Sequence, residues 1–279
     1  MFVASLNNRI PLLQLARWQL GSAFVITALA ATMMGGWQSL GQRQIAELSA
    51  SGFCGIVLAS TTYFATIFLI GPRLTALLFS LTSPFALALG FATFGETITL
   101  WQALGIALVL TGIVVAVALP VRTATPSSGG QSATSRIGIA LGVFTAFGQA
   151  LGSLFARPAM AAGTEPFAAM AVRLGIAVIL FWAIATLPQV RGRDVRVHGR
   201  EFGLIVTSVF FGTGLGMVLL MAALKSGNVG IVSTLSSMTP IVILPMVWLR
   251  TGKRPAAAAW AGASVAIIGT ALISLTGAA

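Results

Sequence analysis

The sequence predicts an all-α protein of the polytopic membrane class. Hydrophobic residues make up 57% of the 279 residues and charged residues only 8%, whereas a soluble domain carries about 25% charged residues. The mean hydropathy is +0.98. The 31 glycines are typical of helices that approach each other closely in lipid. Together these values exclude a soluble globular protein.

Nine apolar segments are long enough to span a bilayer, since a helix needs about 20 mostly apolar residues to cross about 30 Å of hydrocarbon. We place them at about 11–34, 49–70, 72–94, 99–121, 136–157, 166–187, 202–224, 228–250 and 255–277. The segment 122–135 has the Gly, Ser, Thr and Pro composition of a flexible linker. This segment therefore predicts a joint between two halves of the chain.

Arginine, glycine, serine and proline residues recur at a fixed separation along the chain, which indicates an internal repeat. Four pairs are separated by 156 residues: Arg17 and Arg173, Gly71 and Gly227, Ser80 and Ser236, and Pro84 and Pro240. The last helix of each half carries two glycines seven residues apart: Gly105 and Gly112, then Gly262 and Gly269. The spans that contain Arg17 and Arg173 are the first and the sixth, so they lie five spans apart. Because five is an odd number of membrane crossings, the second repeat enters the membrane from the opposite side. We therefore predict two inverted five-helix repeats, in residues 1–121 and 136–279, joined by the linker 122–135.

The first helix of the first repeat has no counterpart in this sequence. Shifting the span 136–157 back by 156 residues places its equivalent before Met1. The chain therefore shows nine spans of a ten-helix plan. Either the true start lies upstream or the protein is a nine-helix version of the plan.

The net charge of +11 reflects membrane topology rather than nucleic-acid binding, because the basic residues are scattered between spans. Loops on one side hold eleven Lys and Arg residues, and loops on the other side hold three. Cytoplasmic loops carry the excess of positive charge. We therefore expect Arg9 in the cytoplasm and the C-terminus outside.

The stretch 72–119 has a mid-helix proline at Pro84, a helix closed by Gly95-Glu96, and the glycine pair of the following helix. This stretch resembles the EamA domain of the drug/metabolite transporter superfamily. Residues 227–275 repeat it more loosely, with Thr251-Gly252-Lys253 where the Gly-Glu would fall. Arg17 and Arg173 also lie where that family often has an arginine.

The resemblance implies ten helices in two inverted repeats, and the movement of amino acids, other metabolites or drugs across the bacterial inner membrane. Members are often drawn with both termini in the cytoplasm, and the charge count of this chain disagrees with that picture. We expect a secondary transporter of amino acids or related amphipathic solutes, acting in efflux, and working as a monomer in the lipid bilayer. A vitamin or nucleoside importer of the same fold, or a non-transporting membrane scaffold, are the alternatives.

Polar residues near the middle of spans are candidates for the substrate site, because a polar side chain in hydrocarbon needs a partner. The candidates are Thr61, Tyr63, Ser80, Ser83, Gln149, Thr213, Ser236 and Thr239. Pro84 and Pro240 are candidate hinges, and each is expected to free a backbone carbonyl about one turn earlier. The alternatives are hydroxyls that bond to their own helix and a glutamine that joins two helices.

Arg17 and Arg173 lie inside their predicted helices. Either their side chains extend to the lipid headgroup region, or they bind the carboxylate of a substrate. The planar guanidinium can donate two parallel hydrogen bonds to the two oxygens of a carboxylate.

Enzymatic chemistry is not expected. The five acids, Glu47, Glu96, Glu165, Asp194 and Glu201, lie at or beyond the ends of predicted spans. One cysteine and one histidine cannot form a Cys/His metal cluster, so we expect neither a metal nor a cofactor. Since proton-coupled carriers commonly use a membrane-embedded acid or histidine, we expect a facilitator or exchanger.

Overall fold

The computed structural model describes residues 12–118, 132–186, 199–210, 215–225, 227–236 and 257–277, and these contain helices and no strand. The α-helices are α1 (Leu12–Met33), α2 (Gln42–Gly52), α3 (Ala59–Phe79), α4 (Thr82–Phe94), α5 (Leu100–Ala118), α6 (Ser132–Ala161), α7 (Pro166–Ala185), α8 (Gly199–Val209), α9 (Met217–Ala223), α10 (Val229–Ser236) and α11 (Ala257–Gly277). A π-helical turn, Phe53–Leu58, joins α2 to α3. The predicted all-α class is confirmed.

Several helices have the length and apolar composition of membrane spans. Within the described ranges, three stretches are long enough to cross a bilayer: Gln42–Gly71, Arg136–Ala161 and Pro166–Ala185. Shorter apolar helices cover Thr82–Phe94, Leu100–Val115 and Ala257–Ile273. Helix α6 already begins at Ser132, so the last residues assigned to the linker are helical. Residues 122–131 of the linker lie outside the described ranges.

Helix α2 begins at Gln42, seven residues before the predicted start of the second span. Glu47 therefore lies inside a helix, which corrects its predicted position at a helix end. Its Oε1 accepts a hydrogen bond from Arg43 Nε at 2.8 Å, one turn earlier on the same face. The Arg43 side chain is 83% exposed.

The chain reverses direction inside α3, at Gly71. This glycine has φ 80° and ψ 163°, a conformation that L side chains rarely adopt. The rings of Tyr63 and Phe79 lie 5.7 Å apart, although a straight helix would separate these residues by about 24 Å. The predicted boundary between the second and third spans is therefore confirmed.

The third predicted span is interrupted near its middle. Helix α3 ends at Phe79 and α4 begins at Thr82, so Pro84 is the third residue of α4, where a helix needs no N–H donor. The Ser80 carbonyl accepts a hydrogen bond from Ser83 N at 3.2 Å. The prediction of a free carbonyl near Ser80 is therefore wrong. The proline of the second repeat, Pro240, lies outside the described residues.

The helices form two compact units, and each unit contains chain from both sides of the linker. The first unit comprises Met1–Val57 and Gly152–Ser226, and the second comprises Leu58–Leu151 and Gly227–Ala279. In the first unit α1 packs on α7, which also contacts α2 and α9. In the second unit α5 packs on α11, and α4 packs on α10.

Helices of the two repeats pair with each other in antiparallel orientation, and α1 and α7, which carry Arg17 and Arg173, are equivalent helices of the two repeats. In the first unit, the Phe24 ring of α1 lies against Gly175 of α7, and Arg17 lies over Trp182, farther along α7. In the second unit, α4 and α10 also contact in opposite order along the chain, since Leu87 lies against Gly230 and Ser83 bonds to Thr234. Inverted repeats require this orientation.

The two glycine-bearing helices, α5 and α11, contact each other closely. A Cβ atom on Gly105 would lie 2.8 Å from the Gly269 carbonyl oxygen, and one on Gly112 would lie 2.5 Å from that of Gly262. The surrounding core consists of Ile106, Val109, Ile113, Ala263, Ala266 and Ile273. Bare backbone at these positions therefore sets the distance between α5 and α11.

The Gly95-Glu96 pair follows the last residue of α4 and connects this helix end to the start of α10. Gly95 adopts the left-handed conformation at the C-terminus of α4, with φ 62°. A carboxylate oxygen of Glu96 accepts a hydrogen bond from Val229 N at 2.9 Å, which satisfies a backbone donor at the first turn of α10. The pair therefore ties the end of α4 to the start of α10.

We expect Gly112→Ala to lower the free energy of unfolding by about 1–3 kcal/mol, because the added methyl group would overlap backbone atoms of α11. Thermal unfolding of the detergent-purified protein measures this loss. Gly21→Ala is the matched control, since no atom lies within 4 Å of a Cβ built there. Equal melting temperatures for the two variants would contradict the packing argument.

Candidate functional site

Two hydroxyl groups join the repeats inside the second unit. Ser83 of α4 is fully buried and its hydroxyl bonds to that of Thr234 on α10. Thr234 Oγ1 donates its own hydrogen to the Gly230 carbonyl at 2.8 Å, so Ser83 is the donor in the contact between helices. The serine–proline segment of the first repeat thus meets the serine- and threonine-rich helix of the second.

A second pair of hydroxyls joins α6 to α3. Thr145 Oγ1 lies 2.7 Å from Thr62 Oγ1, while Thr62 donates to the Leu58 carbonyl at 2.8 Å. Gln149 lies one turn beyond Thr145 on the same face of α6. Its side chain is only 8% exposed, and within the described part of the chain its amide makes no hydrogen bond.

We refer to Thr62, Ser83, Thr145, Gln149 and Thr234 as the polar cluster. Its helices α4 and α6 are also joined by an edge-to-face contact between Phe85 and Phe147, whose ring centroids lie 5.5 Å apart. The cluster and these two rings therefore place hydroxyls, an amide and aromatic groups on neighbouring helices of one unit. This combination suits a small solute that has polar and apolar parts.

The predicted site residues occupy different environments. Ser80 and Ser83 are buried, and Tyr63 is half-buried beside Phe79. Thr61 is exposed. Ser236 is exposed and donates to the Val232 carbonyl of its own helix at 2.8 Å, as the structural alternative predicted. Thr213 and Thr239 lie outside the described residues.

Thr61 is the predicted residue, but Thr62 is the one that contacts α6. Thr145 and Thr234, which join helices through their hydroxyls, are not among the predicted site residues. The spacing of small and polar residues along α6 could have indicated its contact face. Small and polar residues recur on α6 at alternating steps of four and three: Gly138, Gly142, Thr145, Gln149 and Gly152. Within the second unit, Gly142 lies against Thr66 and Leu78, so this stripe marks the face of α6 that contacts α3.

The two equivalent arginines lie in the first unit and differ in their surroundings. Arg173 is fully buried; its Nη1 lies 3.1 Å from the sulfur of Met221 and 3.9 Å from that of Met170. The reading in which Arg173 reaches the headgroups is therefore wrong. Arg17 is 8% exposed, and its guanidinium carbon lies 5.8 Å from the centre of the Trp182 ring, a cation–π distance.

An apolar cavity of about 420 Å³ lies beside Arg17 within the first unit. Aromatic residues Trp18, Trp182 and Phe202 line part of it, with Trp18 edge-on to Phe202 at 5.5 Å. The volume falls within the range of small-molecule pockets, about 300–1,000 Å³. Within the described part of the chain, no three His, Cys, Asp or Glu side chains are grouped so as to hold a metal ion.

Residues 1–118 and 136–275 each match the EamA-like transporter family. The chain belongs to the EamA-like transporter family. The matches cover nearly the whole chain, so membership makes the protein a membrane transporter of small solutes and fits a protein that is not an enzyme. The resemblance of the sequence to the drug/metabolite transporter fold is confirmed.

A solved protein crystal structure has the same fold. It is 17% identical in sequence to this EamA-like transporter and superposes with a TM-score of 0.80, over 99% of this chain and 91% of that chain. No match was found among the curated proteins.

We expect Ser83→Ala and Thr234→Val to be coupled in a double-mutant cycle by about 0.5–1.5 kcal/mol, because each substitution removes the same contact between helices. Thermal unfolding of the two single variants and the double variant measures the coupling. The control cycle combines Ser83→Ala with Thr27→Val, since Thr27 bonds to carbonyls of its own helix. Additive losses in the first cycle would show that the two hydroxyls do not depend on each other.

Proposed function

We propose that the protein is a secondary transporter that moves amino acids or related amphipathic solutes out of the cell across the bacterial inner membrane, by alternating access. The observation that carries the proposal is the hydrogen bond between Ser83 and Thr234 in a chain of this family. Carriers built from inverted repeats bind their solute where the two repeats meet. This contact joins helices of the two repeats.

The polar cluster supplies the groups that such a solute needs. Hydroxyls can donate to a carboxylate or accept from an amine, and an amide can do both. Gln149 makes no hydrogen bond within the described part of the chain, so its amide is available to a solute in the second unit. We propose as solute-binding residues the set Thr61, Tyr63, Ser80, Ser83, Gln149, Thr213, Ser236 and Thr239, extended by Thr62, Thr145 and Thr234.

The interrupted third span supports a hinge near the cluster. Discontinuous helices form the binding sites of many secondary transporters, and here the break falls between Phe79 and Thr82, next to Ser83. Pro84 stabilises the start of α4, because proline fixes a helical φ and removes an N–H that has no helical partner. We propose that Pro84, with Pro240 in the second repeat, marks where the helices bend during transport.

The described carboxylates favour a facilitator or an exchanger. Glu96 caps α10, and Glu165 caps α7 by accepting from Ala168 N at 2.7 Å. Glu47 pairs with an exposed arginine. Each of these acids therefore already has a structural partner, and none is placed to carry a proton between helices of the polar cluster.

We expect proteoliposomes containing the protein to show counterflow. External labelled solute, chosen from amino acids that raise the melting temperature of the purified protein, should enter faster when the same unlabelled solute is inside. An imposed pH gradient should not change the final level. Ser83→Ala combined with Gln149→Ala should slow counterflow at least about tenfold, because two polar contacts to the solute are lost.

Thr27→Val is the control for this experiment, since its hydroxyl bonds within α1, and it should retain wild-type counterflow. Absence of counterflow for every amino acid that binds would contradict the proposed transport. Uphill accumulation driven by a pH gradient alone would contradict the proposed mechanism.

A further inference from the structure

Arg173 carries a positive charge in the interior of the first unit with no acidic partner in the described structure. Its side chain has no exposed surface. The groups that face its Nη1 are the thioethers of Met221 and Met170, and a thioether sulfur is only a weak acceptor. The acid of its own helix, Glu165, lies about 12 Å away along α7 and caps that helix.

The other two nitrogens of the guanidinium, Nε and Nη2, are buried and have no hydrogen-bond partner among the described residues. These two nitrogens form one edge of the guanidinium. The N–H of Nε and one N–H of Nη2 point from this edge of the planar group and run nearly parallel. This edge matches the two oxygens of a carboxylate in a bidentate pair. The thioethers therefore face one nitrogen, and the complete bidentate edge lacks an acceptor in the part of the chain that the structure describes.

A cation that has no acidic partner among the described residues strongly destabilises the protein without solute, since its water has been removed and not replaced. The equivalent arginine of the first repeat has a different environment, because Arg17 lies over the Trp182 ring beside a cavity. The repeat alone therefore does not explain the surroundings of Arg173.

We propose that the Nε/Nη2 edge of Arg173 is a carboxylate-binding site within the first unit, so that the solutes of this transporter are carboxylic acids or amino acids. This inference rests on the proposed transport function. The site is closed in this structure, and the carboxylate reaches it in the open state of the alternating-access cycle. The flexible side chains of Met170 and Met221 can change rotamer to admit it.

The test uses matched pairs of probes that differ in one group: acetate and acetamide, butyrate and butyramide, phenylacetate and phenylacetamide. Thermal unfolding of the purified wild-type protein is measured with each probe at several concentrations. We expect at least one carboxylate to raise the melting temperature by about 3 °C or more at saturation, and its amide to have no effect. Chloride and phosphate, at equal ionic strength, should not reproduce the shift.

Arg173→Met removes the charge while keeping similar length, so without a probe it should melt at or above the wild-type temperature. The same variant should lose the carboxylate shift. A residue that stabilises the fold by its charge would instead lower the melting temperature when replaced. Arg17→Met is the matched control from the equivalent position of the other repeat, and it should keep the shift.

If Arg173→Met does not yield folded protein, Arg173→Lys tests the same point, because lysine keeps the charge and lacks the fork. It should weaken carboxylate affinity at least about tenfold. A carboxylate shift of equal size in Arg173→Met would overturn the proposal, as would the absence of any carboxylate shift in the wild type. An equal response to chloride or phosphate would overturn the assignment to carboxylates.

The outcomes separate this inference from the transport function. A shift that depends on Arg173, in a protein that shows no counterflow in liposomes, would support the binding site and contradict transport. Counterflow of an amino acid with no carboxylate shift in any variant would support transport and overturn the site.

Discussion

The structure depends on one constraint: in hydrocarbon, a polar group finds its partner within the protein or in a bound solute. Many of the described hydroxyls meet this constraint within their own helix, as Thr27 does by bonding to the carbonyl of Ala23. A few meet it across helices, as Ser83 does with Thr234. In the described part of the chain, the amide of Gln149 makes no hydrogen bond and the Nε/Nη2 edge of Arg173 has no partner, and these are two of the groups that we propose for solute binding.

The fold could be predicted largely from spacing. The helix class follows from apolar length, and the boundary at Gly71 follows from a glycine between two apolar runs. The close contact of α5 and α11 follows from glycines seven residues apart, because only a bare backbone allows that approach. The division into two packing units could not be predicted, since each unit draws chain from both repeats, and repeat boundaries in sequence say nothing about which helices pack.

The candidate site stays a prediction, and the contacts of its residues were harder to predict than the fold. Choosing between Thr61 and Thr62 requires the rotation of the helix, which a nearly uniform apolar sequence does not fix. The helix break before Thr82 was hidden in a continuous apolar run, because Pro84 signals a kink without saying that the helix has already ended. The complete burial of Arg173 could not be predicted from the sequence either. Arg17 occupies the equivalent position in the first repeat, yet it lies beside Trp182, whereas Arg173 lies beside Met221.

The glycine contacts of α5 and α11 have a consequence for the origin of the molecule. Gly105 faces Gly269, which is the repeat equivalent of Gly112, and Gly112 faces Gly262, which is the equivalent of Gly105. Each helix thus presents the same surface to the other, as identical subunits do across a two-fold axis. Two copies of a single half-length chain, inserted in opposite directions, would already make this contact. Fusing two such genes would therefore join an existing dimer without requiring a new interface.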